Sequence, residues 1–197
     1  MGHDAEHWDA RYGEATRPWT REPSPTVTQA VAALSSGRAI DVATGTGRHA
    51  LWLAERGWQV TAVDFSAVGV AQGRARSSRI EWVVADVGQW TPTTAYDLVL
   101  LAYVQLGVTG LRRVGGWLAP GGRLVVVGHA LRNLTDGVHG PRDPAFLHTE
   151  RGLRDGADGL VVERLEEVLR PDEGGAAIEL LLVARRGQRS AAIRPAT

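Results

Sequence analysis

A short apolar run, Ala39 to Val42, passes directly into Ala43-Thr44-Gly45-Thr46-Gly47, and Ala50, Leu51, Leu53 and Ala54 follow at helical spacing until Gly57 closes the element. This strand-turn-helix junction constrains the chain more than any other feature. Glycine tolerates left-handed backbone angles and lets another group approach where a Cβ would collide. A glycine turn between a buried strand and a helix N-terminus is where α/β folds hold nucleotides. The spacing Gly45-x-Gly47-x-x-Ala50 also satisfies the glycine/alanine form of the dinucleotide fingerprint. That spacing alone does not choose among adenosine-bearing ligands, and a tight turn without a ligand would look the same.

The alternation continues downstream. Gln59 to Val63 reads as a second strand ending at Asp64, and a helix begins near Ser66 and runs to about Arg76, with Gly69 and Gly73 allowing close approach to a sheet. Ile80 to Ala85 and Tyr96 to Leu101 are the third and fourth strands. A short helix carrying Leu111, Val114 and Leu118 follows, then the break Pro120-Gly121-Gly122, then a fifth strand from Arg123 to Val127. Upstream, Ser24-Pro25 marks a helix start with serine as cap, and Val27, Ala30, Val31 and Leu34 share one face. Repeated strand-helix units imply parallel β-α-β crossovers and an open twisted sheet. They are too few for an eight-stranded α/β barrel.

The last third differs. Residues 128–148 form a long connection containing His129, Arg132, Asn133, His139, Arg142, Asp143 and His148, a length typical of lids and binding loops. After a helix from Thr149 to Asp155, Leu160–Leu169 and Ala176–Arg185 are separated by Arg170-Pro171-Asp172-Glu173-Gly174-Gly175, which predicts a hairpin with one strand antiparallel to the main sheet. The expected organisation is an aromatic arm or lid over residues 1–23, one domain over 24–186, and a frayed tail over 187–197.

At 197 residues the chain supports one substantial core. Its 22 basic and 22 acidic residues cancel, so no global field draws nucleic acid or anionic lipid. Without cysteine there is no disulfide framework, thiolate metal cluster or cysteine nucleophile. His3 and His7 lack a third ligand, so no metal is expected. The opening residues lack a basic-then-apolar leader and no apolar run is long enough to span a bilayer, which makes the cytoplasm the expected location.

Three carboxylates refine the nucleotide turn. Asp41 precedes it, where its charge would oppose a pyrophosphate but attract a cationic amino group. Asp64 lies 19 residues after Gly45, a suitable interval for accepting from ribose hydroxyls, with capping a neighbouring helix as the alternative. Asp86 ends the third strand, where it can meet an adenine amino group beside Val87, or can be a solvated loop acid. Convergence at successive strand ends is more specific than the glycines alone.

At this point Ile40-Asp41-Val42-Ala43-Thr44-Gly45-Thr46-Gly47-Arg48-His49-Ala50, continued by Leu53 to Ser66, resembles the first motif region of the class I S-adenosylmethionine-dependent methyltransferases, and Tyr96 to Leu101 resembles their fourth-strand motif. The resemblance spans about residues 38–127. It implies a Rossmann-like, seven-stranded open sheet with helices on both faces and a C-terminal antiparallel hairpin. It also implies S-adenosylmethionine as cofactor, held by Asp41, Ala43, Gly45, Gly47, Asp64, Phe65, Asp86, Val87 and Ala102. Ala43 stands where the family often has glycine, which matters only if its φ is positive.

The stretch His7-Trp8-Asp9-Ala10-Arg11-Tyr12 resembles the aromatic entry segment of small heteroatom methyltransferases, including tellurite- and thiol-modifying ones. This implies a small-molecule acceptor, a thiol by that likeness, with sulfur, nitrogen and oxygen all open. Trp8, Trp19, Arg132 and His139 are the acceptor-contact candidates, and His129, Tyr103 and Tyr12 the catalytic ones. His129 leads because an imidazole titrates near neutrality. Tyr103 is as readily a packing residue. No metal, nucleic acid or membrane is required, and the chain is expected as a monomer or homodimer. A nicotinamide-dependent oxidoreductase and a noncatalytic adenosylmethionine-binding module are the competing readings.

Overall fold

The computed structural model describes residues 4–14 and 22–188. The alternating pattern folds into α1 (Ala5–Glu14), α2 (Pro25–Val31), β1 (Arg38–Val42), α3 (Arg48–Glu55), β2 (Gln59–Asp64), α4 (Ala67–Arg74), β3 (Glu81–Val84), β4 (Tyr96–Ala102) and α5 (Gly107–Gly115). It continues with β5 (Leu118–His129), α6 (Asn133–Asp136), a 3-10 turn at Pro144–Phe146, α7 (Glu150–Gly156), β6 (Val161–Asp172) and β7 (Gly175–Arg185).

The strands form one seven-stranded sheet in the order β3-β2-β1-β4-β5-β7-β6. β1 to β5 run parallel, and β7 inserts antiparallel between β5 and β6. Because strand side chains alternate, each strand feeds two cores. On one face Ala39, Ala62, Leu98, Leu100, Val125 and Val127 pack against Val27, Leu53 and Val70 from α2, α3 and α4. On the other, Ile40, Val42, Leu101, Val126 and Leu182 meet Leu111 and Val114 of α5 and Leu153 of α7. The seven-stranded Rossmann-like sheet and terminal hairpin match expectation.

Several local expectations change, the first being Leu118, expected on the helix with Leu111 and Val114, which instead begins β5. Pro120-Gly121-Gly122 does not precede β5 but lies inside it: Leu118 pairs with Tyr96, and the register then shifts before Leu98 meets Arg123. The hairpin turn shrinks to Glu173-Gly174, since Asp172 still pairs with Gly175. Pro171 is tolerated because β6 is an edge strand with an unpaired outer side. Ser24 sits at the cap of α2 but makes no side-chain capping bond, because its hydroxyl is engaged with Tyr103. By contrast, Ser66 and Thr149 cap α4 and α7 by accepting from Gly69 and Gly152.

Residues 128–148 are closed at their base. His148 N–H donates to the His129 carbonyl at 2.8 Å and Leu131 N–H to that of His148 at 2.8 Å. Buried Asn133 accepts from Ile178 N–H at 2.7 Å and donates to the His139 carbonyl at 2.8 Å, fastening the excursion to β7. Among the described residues no helix is long and apolar enough to cross a membrane.

Candidate active site

The parallel strands reverse order between β1 and β4, and at that switch point a crevice opens at their carboxyl ends. The glycine turn sits there with three successive demands on the backbone: Ala43 at φ +55°, Gly45 at +57° and Gly47 at +81°. Ala43 is thus in the left-handed region, the one case in which alanine is penalised relative to glycine. Asp41 binds the turn together. Its Oδ2 accepts from the Thr44 hydroxyl at 2.6 Å and from Ala50 N–H at 3.1 Å. With 1% exposure, the carboxylate faces the turn interior rather than solvent. Burial pushes its pKa up to about 7, against the opposing pull of the Thr44 bond.

Asp64 closes β2 beneath this turn. Gly45 N–H donates to Oδ2 and Ser66 N–H to Oδ1, both at 2.8 Å. Burial raises its pKa, opposed by these amide bonds, and nearby Asp9 adds to the rise. A carboxylate offers about four lone-pair sites, so two amide donors leave acceptor capacity for ribose hydroxyls. Half-buried Phe65 follows directly. Asp86 is exposed, and its Oδ1 accepts from Gly88 N–H at 2.8 Å in a tight turn. Val87 is half-buried and its carbonyl accepts from Arg113 Nε at 3.0 Å. Ala102 ends β4, half-buried beside the crevice.

The arm helix α1 lies across these groups. Asp9 Oδ1 accepts from the Ser66 hydroxyl at 2.5 Å and Val68 N–H at 3.1 Å, while Gln72 Nε2 donates to the Tyr12 carbonyl at 2.9 Å. Tyr12 is buried, and its hydroxyl stands 2.5 Å from where a Cβ on Gly45 would be. Gly45 is therefore indispensable to the arm as well as to the turn. Burial first, then the Asp64 charge, raises the Tyr12 phenol pKa above its ordinary value. Gly47 has a different neighbour: a Cβ there would strike the Trp82 indole, which also covers Gly73. Trp8 stacks within the arm, 5.7 Å from the Tyr12 ring. Trp19 lies outside the described residues.

Beyond β4 and β5 a second polar group assembles. Tyr103 adopts φ +61° and its hydroxyl donates to Glu179 Oε1 at 2.7 Å, with Ser24 Oγ at 2.9 Å. Burial and the Glu179 charge push the phenol up to about 12, so Tyr103 keeps its proton at neutral pH. The His129 ring lies 5.6 Å from that of Tyr103. Its Nδ1 is buried without a hydrogen-bond partner, and Gly140 of the long loop abuts the ring. Burial lowers the His129 pKa, which keeps the imidazole neutral and able to accept a proton. Arg48, the first residue of α3, places its guanidinium 5.0 Å from the Tyr103 ring centre. Arg132 points elsewhere, 3.2 Å from Glu167 and 3.6 Å from Asp136. Exposed His139 has φ +58° and Nε2 2.8 Å from the Glu173 carbonyl, so its ring pins the loop to the β6–β7 turn.

Sequence reasoning missed Glu179, Arg170, Thr26 and the part played by Ser24. One signal was available: a lone glutamate inside the apolar run Ala176 to Ala184, at a position whose neighbours two residues away are inward-facing. His148 was also passed over. It is buried against Gly128, receives a bond from Gln105 Nε2 at 3.2 Å, and has its pKa lowered to about 4 by burial.

A methyltransferase-domain model matches residues 39–122, the stretch that carries β1 to β4 and the start of β5 in the strand order above. An uncharacterised methyltransferase of Mycobacterium tuberculosis is 36% identical over 106 residues, covering 50% of this chain and 54% of that protein. A structure solved in work on the conversion of a disulfide bond into a thioacetal group during echinomycin biosynthesis superposes with a TM-score of 0.76. It is 25% identical, covering 96% of this chain and 94% of its own. TehB from Haemophilus influenzae shares the fold at TM-score 0.68 and 18% identity, over 92% of this chain and 66% of its own. The matched stretch spans 36% to 54% of the length of the curated relatives.

Proposed function

We propose that this chain transfers a methyl group from S-adenosylmethionine to a heteroatom, by preference a thiol sulfur, of a small molecule. The observation that carries the reading is the bond from Gly45 N–H, just after β1, to the buried Asp64 carboxylate at the end of β2, with Tyr103 after β4 and His129 at the end of β5 on the same edge of the sheet. Asp64 would hold the ribose through its remaining lone pairs, with Phe65, Val87 and Ala102 bordering the nucleoside, while Gly45 and Gly47 supply the left-handed turn and the clearance for Tyr12 and Trp82. Ala43 and Asp41 act by holding the turn, and Asp86 offers an acceptor at its exposed end.

The cofactor supplies an electrophilic methyl group on a sulfonium, so the protein's task is alignment more than activation. Tyr12, with Trp8 behind it, covers the crevice and excludes water from one side. Neutral His129 is the group able to take the acceptor's proton, and Tyr103, whose proton is held, serves as a donor and a wall. The interest in thiols comes from the resemblance of the His7–Tyr12 stretch to thiol-modifying enzymes and from the likeness to the structure solved in work on conversion of a disulfide bond into a thioacetal group. Arg132 and His139 contact other parts of the chain and become loop anchors in this reading.

Calorimetry with S-adenosylmethionine, S-adenosylhomocysteine and nicotinamide dinucleotides, followed by mass-spectrometric screening of thiol, amine and hydroxyl acceptors, tests the proposal. Binding of the two sulfur nucleosides with methylated product from a thiol is expected. Specific binding of a nicotinamide cofactor without the sulfur nucleosides would reject it.

A further inference from the structure

β7 reads Ile178-Glu179-Leu180-Leu181-Leu182, and the glutamate in this apolar run has 0% exposure. Burying a carboxylate costs several kcal/mol unless its charge and lone pairs are met. Here three distant segments meet them. The Thr26 hydroxyl in the first turn of α2 donates to Oε2 at 2.7 Å, while the Tyr103 hydroxyl after β4 and Arg170 Nε on β6 both donate to Oε1 at 2.7 Å. A glutamine could satisfy much of this pattern without the charge, so the charge itself calls for a use. The register supplies one: the residue directly across the sheet from Glu179 is His129.

We propose that Glu179 is a positioning residue for the acceptor side of this site: it fixes the Tyr103 phenol and its charge governs the protonation of His129. The proposal rests on the reading above, in which His129 takes the acceptor's proton. Tyr103 holds a left-handed backbone that non-glycine residues keep only when surroundings impose it, and the Glu179 and Ser24 contacts impose it. The groups facing His129 are few. Glu179 opposes it from β7, Arg170 and Asp172 from β6, Tyr103 from the turn after β4 with Arg48 across that ring, and His148 from the loop's end. Arg170 is itself shared between Glu179 and Asp172, at 2.7 and 2.8 Å. Desolvation drives His129 toward neutrality, and the Glu179 anion counters it, leaving an imidazole that is neutral yet still basic.

Titration of the His129 ring by NMR in carbon-13-histidine protein decides the matter without any acceptor. In Glu179→Gln the His129 pKa falls by about one unit, and S-adenosylhomocysteine affinity by calorimetry stays at the wild-type value. Should that variant fail to fold, Arg170→Gln, on the half-exposed edge strand, removes the opposing cation and moves His129 upward. A His129 pKa unchanged in a folded variant of either kind overturns the proposal. Tyr103→Phe keeps the buried charge and deletes the phenol. With 2-mercaptoethanol as acceptor and saturating S-adenosylmethionine, turnover falls on the order of ten-fold; wild-type turnover in this variant refutes the positioning of the phenol. If wild type does not methylate 2-mercaptoethanol, the thiol assignment fails while the imidazole titrations still judge Glu179.

Discussion

Replacing Ala43 with glycine should make this protein more stable, contrary to the usual sign of an alanine-to-glycine change. Ala43 sits at φ +55°, where an L-residue with a Cβ pays about 1–2 kcal/mol. Glycine relieves that strain but adds freedom to the unfolded chain, a cost of about 0.4–1 kcal/mol. The net gain is about 0.5–1 kcal/mol, which for a domain of this size raises the thermal midpoint by about 1–4 °C. Differential scanning calorimetry of Ala43→Gly against wild type, both without ligand, measures it. Ala43→Val provides the opposite arm, because a β-branched residue in the left-handed region is strained further, and its midpoint should drop. A lowered midpoint in Ala43→Gly would refute the reasoning, since it would mean that the Cβ contributes packing worth more than the strain it causes.

Other outcomes follow from the contacts of single residues. Asp64→Asn leaves one of the Gly45 and Ser66 amides facing an NH2 group, so unfolding free energy falls by about 1–3 kcal/mol and S-adenosylhomocysteine affinity falls with it; a loss of affinity without loss of stability would show that the turn does not depend on this carboxylate. Asp9→Ala removes two of the bonds that fasten α1 to α4, leaving Gln72 on the Tyr12 carbonyl, and should speed amide exchange in α1 while the global midpoint barely moves, whereas unaltered exchange would place the arm's anchorage on the remaining bond and the Tyr12 packing. Acid should destabilise the fold between about pH 6.5 and 4. His148 and His49, depressed by burial to about 4 and about 3 from 6.5, bind protons more readily when unfolded, so their stabilisation is present above pH 6.5 and is lost as pH falls. Asp41, raised from 3.8 to about 7, acts oppositely, its stabilisation being full below about pH 4 and lost as pH rises through 7. His129, also lowered by burial, adds to the histidines, and Asp64, also raised, adds to Asp41, so three histidines oppose two aspartates and the net slope is at most about 1.4 kcal/mol per pH unit; a midpoint that rises on acidification over this window would contradict the sign.

The parts of the fold legible in the sequence were those whose signal is local. The run from Ala39 through Asp64 contains its own strand, turn, helix and strand, each fixed by neighbours within a few residues, and the observed β1, α3 and β2 fall within two residues of expectation. Gly57 closes the helix in a left-handed conformation, and Ser66 caps the next, again local events. The boundaries that shifted depend on partners far away. Pro120-Gly121-Gly122 looked like a break because proline and glycine interrupt most strands, but pairing to β4 on one side tolerates the irregularity. Ser24 carried a capping pattern, yet its hydroxyl was claimed by a tyrosine 79 residues away. Glu179 was lost for the same reason: a charge in an apolar strand is explained only by Thr26, Tyr103 and Arg170, which no linear window brings together. Glycine spacing pointed to the right turn, but its closeness serves Tyr12 at Gly45 and Trp82 at Gly47, which spacing alone cannot distinguish from room for a ligand.

The closed base of the 128–148 excursion bears on how such a protein can change. Its two ends are joined backbone to backbone at His129, Leu131 and His148, so the sheet meets a nearly fixed pair of attachment points whatever lies between them. The entropy of closing a loop grows only with the logarithm of its length, roughly 0.6 kcal/mol for each doubling. Residues between the attachment points can therefore be lengthened, shortened or exchanged at small cost to the scaffold, provided the Asn133 fastening or an equivalent is kept. On the proposed function, a graft of the corresponding segment from a structural relative, cut at these two points, would change acceptor choice while leaving the nucleotide turn untouched.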